Sequence, residues 1–395
     1  LDSSGVLLVL DPRRRRSGPA TPFQRIWCDF EEAVAVDHTN HLVLDIATCL
    51  ETGASSVLTA GVTRVDQARA KERGTLAAQQ KMLRERSFPI DIIEAGLQVR
   101  IEDGKASREV DRLHILNCLC GRPLNAIPVP TEHPEFDRVN GRLRAVFAVA
   151  AWRNALHKGK VDVLKLPEVL SGDEWLTSLL LDLSDCKELV DADSVGRGLR
   201  GLRSLEDLTL DLSSSPHLRS LSGLGVAMRP GTNLVALRSL TVQLTCCAEL
   251  RDVRPLTKGV RELPALRRLD LNLAGCQQLG LAEPDAAEDE GIGSLGIETL
   301  AGHAALESVT LALNDCRYIT HYERFVAGLR GLSALESLSM DLIGCQRFPW
   351  CLQRLFSTPD AFFAAAINAT AGAGELCDGR GGADLGTVVA ELFVS

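Results

Sequence analysis

A chain of 395 residues and 42.7 kDa, 45% apolar and 24% charged, has the composition of a folded globular protein, which excludes intrinsic disorder, collagen and a long coiled coil. Its formal net charge of -9 and pI near 5.5 give no general attraction to phosphate backbones, so no nucleic-acid partner is expected, the local run Arg13 to Arg16 notwithstanding. No apolar run approaches the ~18 residues of a membrane span, and no membrane role is expected.

The first apolar segment, Gly5 to Leu10, is followed by arginines rather than preceded by them, the reverse of a secretory signal. The 12 cysteines are therefore expected as free thiols in a reducing compartment, with a cytoplasmic location. The chain opens on Leu1 and reads as strand almost at once, as if it began inside a longer protein.

Residues 1–160 show no repeat and read as an α/β region, incomplete at its start. Val6 to Leu10 reads as a buried strand, Arg25 to Val36 as a helix and His41 to Ala47 as another strand, with several helices beyond. On the Arg25–Val36 helix the expected buried stripe is Ile26, Phe30, Ala33 and Val34, with Trp27 beside it. Glu31, one turn after Trp27, falls at the edge of that stripe, and Glu32 points away. A carboxylate desolvated at such an edge can serve as an acid, a base or a ribose contact, or be an ordinary boundary residue.

The block Val6-Leu7-Leu8-Val9-Leu10, Arg25-Ile26-Trp27-Cys28-Asp29-Phe30-Glu31 and His41-Leu42-Val43-Leu44 resembles the third strand, third helix and fourth strand of Toll/interleukin-receptor (TIR) domains. Plant and related members carry a Trp-Cys-x-x-Glu helix there, matched by Trp27, Cys28 and Glu31. In NAD-cleaving members that glutamate is catalytic, so the resemblance implies an alternative in which Glu31 acts on NAD as substrate. An insertion from Arg13 to Pro22 separates strand from helix, and the family's first two strands have no counterpart over these residues. The same block is similar to protist proteins in which an α/β region precedes leucine-rich repeats.

His114, Cys118 and Cys120 share one predicted helix and His133 follows it, at spacings that fit no zinc module. No metal site is expected, and no G-x-x-x-x-G-K-[ST] phosphate loop occurs. Pro134 to His157 reads as a long helix starting with Pro, with Phe136, Val139, Leu143, Val146, Phe147 and Ala150 on one face. It is expected to pack on the sheet or to cap the second half of the chain.

In that second half six segments align without gaps on L-x-x-L-x-L-x-L-x-x-C-x-x-L, allowing other apolar residues at some leucine places and one Ser for Cys. Their starts, Leu176, Leu205, Leu237, Leu266, Leu306 and Leu335, lie 29, 32, 29, 40 and 29 residues apart. The fourth, sixth and eighth places alternate with mostly polar residues, as in Leu269-Asp270-Leu271-Asn272-Leu273, which is the period of a half-buried strand. Helical patterns such as Tyr322 to Leu332 lie between. Six parallel strands centred on Leu181, Leu210, Val242, Leu271, Leu311 and Met340 are expected.

Over roughly 165–350 this pattern resembles the leucine-rich repeat family in its cysteine-containing form, with two extra residues between the first leucine and the cysteine. The resemblance implies a right-handed solenoid with a parallel sheet on its concave side and helices outside. Cys186, Cys247, Cys276, Cys316 and Cys345, with Ser215 in the second repeat, hold one place, read as packing residues at a turn rather than metal ligands.

With the strand leucines inward, three columns face out. They are Ser178, Asp207, Ser239, Arg268, Ser308 and Ser337; Leu180, Thr209, Thr241, Asp270, Thr310 and Ser339; and Asp182, Asp211, Gln243, Asn272, Ala312 and Asp341. Five carboxylates against one arginine make either a solvated surface or a mildly acidic protein-binding face. The expected partner is a protein presenting basic residues to Asp182, Asp207, Asp211, Gln243, Arg268, Asp270, Asn272 and Asp341. An acidic insertion, Gly280 to Gly296, is a secondary contact candidate, and the Ala/Gly-rich tail, 351–395, is expected to cap the repeats or be partly disordered. The reading is of a non-enzymatic interaction module without a cofactor, with the TIR-like NAD-cleaving enzyme as the alternative.

Overall fold

A computed structural model describes residues 5–10, 22–36, 43–50, 52–59, 62–231, 233–281, 296–319, 322–341, 365–369 and 388–393. Arg13 to Arg16, Cys345 and most of the acidic insertion lie outside the described residues. The chain divides into two compact units, Leu1–Leu176 and Thr177–Ser395. Both combine helices with sheet.

In the first unit, β1 (Gly5–Leu10) pairs in parallel with β2 (Val43–Cys49) in the register Leu8↔Ile46 and Leu10↔Thr48, with α1 (Ile26–Val36) between them in sequence. A further strand, β3 (Ser55–Leu58), turns back antiparallel onto β2 and extends the sheet to the order β1-β2-β3. β1 is not buried throughout, contrary to expectation. Leu8 and Leu10 join Ile46 and Leu58 in the core, while Leu7 and Val9 are 60% and 61% exposed, because successive side chains of a strand leave on opposite faces.

Two helices, α2 (Arg64–Arg73) and α3 (Ala77–Glu85), follow, the first opened by a capping box between Thr63 and Asp66 and closed by Gly74 at φ 63°. A buried ionic network joins them to β3. Arg84 Nε and Nη2 donate to the two oxygens of Asp66 at 3.0 and 2.9 Å, Arg84 Nη1 donates to Val57 O at 2.6 Å, and Lys81 Nζ donates to Glu85 at 2.8 Å. Burial opposes ionisation of Asp66, but the hydrogen bonds from Arg84 and Thr63 outweigh it and hold its pKa at about 2.

Next come α4 (Ile90–Gly96), α5 (Glu109–Leu119), α6 (Pro134–His157) and α7 (Leu166–Ser171). α6 has the expected bounds, and His133 caps it by accepting Glu135 N–H at 3.2 Å. It packs on helices α1, α3, α4 and α7. Its Phe136, Val139 and Leu143 close a cluster with Ile26, Val99, Ile101, Ile115 and Leu116.

In the second unit, β4 (Ser178–Asp182), β5 (Asp207–Asp211), β6 (Ser239–Gln243), β7 (Arg268–Asn272), β8 (Ser308–Ala312) and β9 (Ser337–Asp341) form an all-parallel run. The register is unbroken: Leu181, Leu210, Val242, Leu271, Leu311 and Met340 stand side by side, as the repeat predicts. Two strands from the tail, β10 (Ala365–Ala369) and β11 (Val388–Phe393), add antiparallel at the β9 end, in the order β10-β11-β9.

β4 to β8 each run into the same turn. In each, the eighth-place leucine N–H bonds to the next strand's last carbonyl, as in Leu212 N to Gln243 O at 2.8 Å and Leu244 N to Asn272 O at 2.7 Å. The residue before the cysteine place, Asp185, Ser214, Cys246, Gly275 or Asp315, has φ between 56° and 73°. The thiol then reaches back: Cys247 Sγ donates to Leu212 O at 3.3 Å, Cys276 Sγ to Leu244 O at 3.0 Å and Cys316 Sγ to Leu273 O at 3.1 Å, with Ser215 Oγ doing the same to Leu183 O at 3.4 Å. The Cys247 sulfur beside it and burial push the Cys276 thiol up, so it remains a protonated donor.

Between the strands in sequence lie α8 (Asp193–Leu199), α9 (Ser222–Ala227), α10 (Arg254–Arg261) and α11 (Tyr322–Arg330). Neighbouring helices touch backbone to backbone. A Cβ on Gly225 would stand 2.0 Å from Pro255 O, and one on Gly196 would stand 2.1 Å from Gly223 O. The short strands thus pair with one another and glycines let neighbouring helices approach closely, while the strand leucines are buried.

Candidate interaction face

The outward columns arise from strand alternation alone, since β5, β7 and β9 all have an exposed, buried, half-buried, buried, half-buried pattern. The structure brings Asp182, Asp207, Asp211, Gln243, Arg268, Asp270, Asn272 and Asp341 onto this one face, but in different electrostatic states.

The seventh-place column is tied into the turns. Asp182 Oδ1 accepts Ser184 N–H and Oγ–H at 3.0 and 2.7 Å, Asp211 Oδ1 accepts Ser213 N–H at 3.0 Å, and Asn272 Oδ1 accepts Ala274 N–H at 3.2 Å. These residues end the strand by capping the chain two residues on. Asn does this as well as Asp, so the turn asks for the Oδ1 acceptor and not for the charge.

The third-place column is paired within itself. Arg268 Nη2 lies 3.9 Å from Asp207 Oδ1, two strands away, reaching across the small Ser239 that stands between them in register. Along the edge just before the strands, Arg238 pairs with Glu206 at 3.5 Å and Arg267 with Glu307 at 2.8 Å. Five carboxylates against one arginine therefore overstates the net negative character of that edge.

The fifth-place column differs. Asp270 is half-buried between Thr241 and Thr310, its register partners, and no described residue hydrogen-bonds its carboxylate. Burial raises its pKa above the usual carboxylate range. At one end of the column Leu180 is 52% exposed, the apolar exception on a polar strip.

Glu31 is placed otherwise than expected. α1 turns Ile26, Asp29, Glu32 and Ala35 inward and leaves Glu31 exposed, with Trp27 itself 46% exposed. Phe30 and Ala33 are half-buried and Val34 is at the exposed margin, so the expected stripe is rotated. Glu32, expected to point away, is buried, and Asp29 is fully so. Both Asp29 oxygens and Glu32 Oε1 have no hydrogen-bond partner among the described residues. Burial raises both carboxyls to about 8, Asp29 and Glu31 adding to the effect on Glu32. They are neutral acids at pH 7. No hydrophobic pattern marks them, because a polar residue on a buried face looks like one on the outer face until the neighbours are known.

The His and Cys residues of α5 and its sequel are dispersed. His114 Nε2 is 2.7 Å from Asn125 Oδ1, Cys118 is exposed, Cys120 half-buried, and His133 serves as the α6 cap. Among the described residues no group of three His, Cys, Asp or Glu is placed to hold a metal ion, and no helix is long and apolar enough to cross a membrane. No known family model matches the chain, and no curated protein matches it in sequence.

Proposed function

We propose that this chain is a non-enzymatic protein-binding scaffold whose second unit is a leucine-rich-repeat solenoid of the cysteine-containing type, right-handed, with the parallel sheet on its concave side. The observation carrying this reading is the sheet face itself: six strands in unbroken register present three straight columns of mostly polar side chains, an extended platform suited to another macromolecule. The partner is a protein with basic residues, met in the cytoplasm. Salt weakens such a contact because both sets of charges are solvent-accessible until they meet.

The test exploits the capping geometry. Asp182→Asn, Asp207→Asn, Asp211→Asn and Asp270→Asn together remove four charges while keeping an Oδ1 acceptor at each turn. A partner isolated with the wild-type chain is expected to bind the fourfold variant at least about tenfold more weakly, with a shallower salt dependence. Unchanged affinity and salt slope remove this face from consideration.

The alternative, a TIR-like enzyme cleaving NAD, draws nothing from α1, whose Glu31 faces solvent beside an exposed Trp27. Purified chain incubated with NAD is expected to release no nicotinamide, and turnover abolished by Glu31→Gln would reverse the choice.

A further inference from the structure

The helix ends of the second unit carry the opposite charge to the sheet columns, and carry it in register. Directly after the last buried apolar residue of each, Leu199, Met228, Val260, Leu300 and Leu329, comes Arg200, Arg229, Arg261, Ala301 or Arg330. These places follow one another in space, because α8, α9, α10, the short helical turn Ile297–Leu300 and α11 touch in that order through Gly196 and Gly223, Gly225 and Pro255, Thr257 and Gly296, and Ala301 and Gly331. All four arginines are exposed. At the one place without arginine, Arg261 leans across: its Nη2 is 3.7 Å from where a Cβ on Gly302 would stand, next to Ala301. Elsewhere in the unit arginines meet carboxylates, Arg219 with Glu249 at 2.6 Å, Arg267 with Glu307 at 2.8 Å and Arg254 with Asp252 at 2.9 Å. Arg200, Arg261 and Arg330 meet none among the described residues, although Glu262 is exposed beside Arg261.

We propose that this row of arginines binds an extended acidic peptide of a partner protein, through residues other than those of the sheet face and independently of the reading given to that face. Helices in close contact stand about 8 Å apart, so Arg200 and Arg261 are about 16 Å apart with Arg229 between them, and Arg330 lies about as far again. An extended peptide sends alternate side chains to one side about 6.6 Å apart, and the torsions of an arginine take up the difference of about 1.5 Å at each step. Each guanidinium thus meets a carboxylate of its own, and a run of about ten residues covers the row. A cation at a helix end also complements the helix dipole, but lysine serves that purpose as well. Arginine stands at every occupied place, and its planar fork matches the two oxygens of a carboxylate. A nucleic-acid strand fits less well, since its charge continues past a single file of cations into a chain of formal net charge -9.

The probe is a fluorescent dodecapeptide of alternating serine and glutamate, with a serine–glutamine counterpart, titrated with full-length chain at low salt and followed by anisotropy. Arg200→Gln with Arg261→Gln is expected to weaken the glutamate peptide at least about tenfold, while Arg238→Gln with Arg267→Gln, which removes the same charge from arginines already paired, costs less than threefold. Arg200→Lys with Arg261→Lys, which keeps the charge and loses the fork, weakens it about threefold. The glutamine peptide does not bind, and the fourfold Asp→Asn variant of the sheet face binds the glutamate peptide at least as well as wild type. Equal losses from the two Arg→Gln pairs would mean attraction by overall charge and overturn the row, as would failure of wild-type chain to bind. A twelve-nucleotide oligothymidylate that binds as tightly and answers to the same variants would make nucleic acid the occupant and overturn the proposal. None of these outcomes bears on the sheet face, whose own test uses a partner of the opposite charge.

Discussion

Asp29 offers the sharpest quantitative test, because its cost depends on pH in a direction opposite to most carboxylates. The fold holds the group at about 8 against an ordinary value of 3.8. A raised folded pKa means that the group favours the folded state fully below the unfolded value, near 4, and that this contribution is lost as pH rises from about 4 to about 8. At pH 7, roughly three pH units above the unfolded value, retaining the proton costs up to about 4 kcal/mol at 1.36 kcal/mol per unit. No discount for solvent screening applies, since the side chain is 0% exposed. Asp29→Asn imitates the neutral acid, and Gly104, whose missing Cβ leaves room 3.0 Å from Asp29 Oδ2, admits an amide of the same size. The variant is expected to match wild type at pH 4 and to exceed it by up to about 4 kcal/mol at pH 7 to 8. Urea unfolding at each pH, followed through the fluorescence of Trp152, buried in α6 of the same unit, measures this. A variant equally destabilised at every pH, or one that declines with pH as steeply as wild type, would refute the reasoning.

The second unit behaves in the opposite sense at His303, whose pKa burial lowers; its contribution is present above about 6.5 and lost as pH falls below it, so His303→Asn, which keeps an acceptor for Ala305 N–H, should flatten the loss of stability between pH 7 and 5 in a chemical-denaturation series. Gly225→Ala forces a methyl into Pro255 O and should cost about 3 kcal/mol or more, read as a lowered midpoint in urea, whereas alanine at the exposed Gly159, on a strained φ of 61° but in open space, should cost about 1 kcal/mol. Cys276→Ala removes the bond to Leu244 O and should cost about 1 to 2 kcal/mol, Cys276→Ser less, with neither changed by zinc; stoichiometric zinc lost in the alanine variant would contradict the packing role.

The repeat strands were legible because their cause is local and recurs. A leucine or other apolar residue every second position can bury only one face of a strand, and six copies of one internal pattern leave a single register in which those positions align, so Leu181 through Met340 and the three outward columns follow from residue order. The cysteine place and α6 were legible for the same reason, a fixed spacing within one element. β3 was not, since four residues of Ser-Ser-Val-Leu carry too short a pattern to announce a strand, and only β2 beside them supplies the missing hydrogen bonds. Nor was the rotation of α1, where tertiary packing overrode the apolar stripe by drawing Asp29 and Glu32 inward and leaving Trp27 out. On the face itself, residue order determined which side chains point outward, while only the folded sheet decided that Arg268 reaches across Ser239 to Asp207 and leaves Asp270 alone. Pairing between side chains on different strands depends on distances that the chain acquires only after those strands have met.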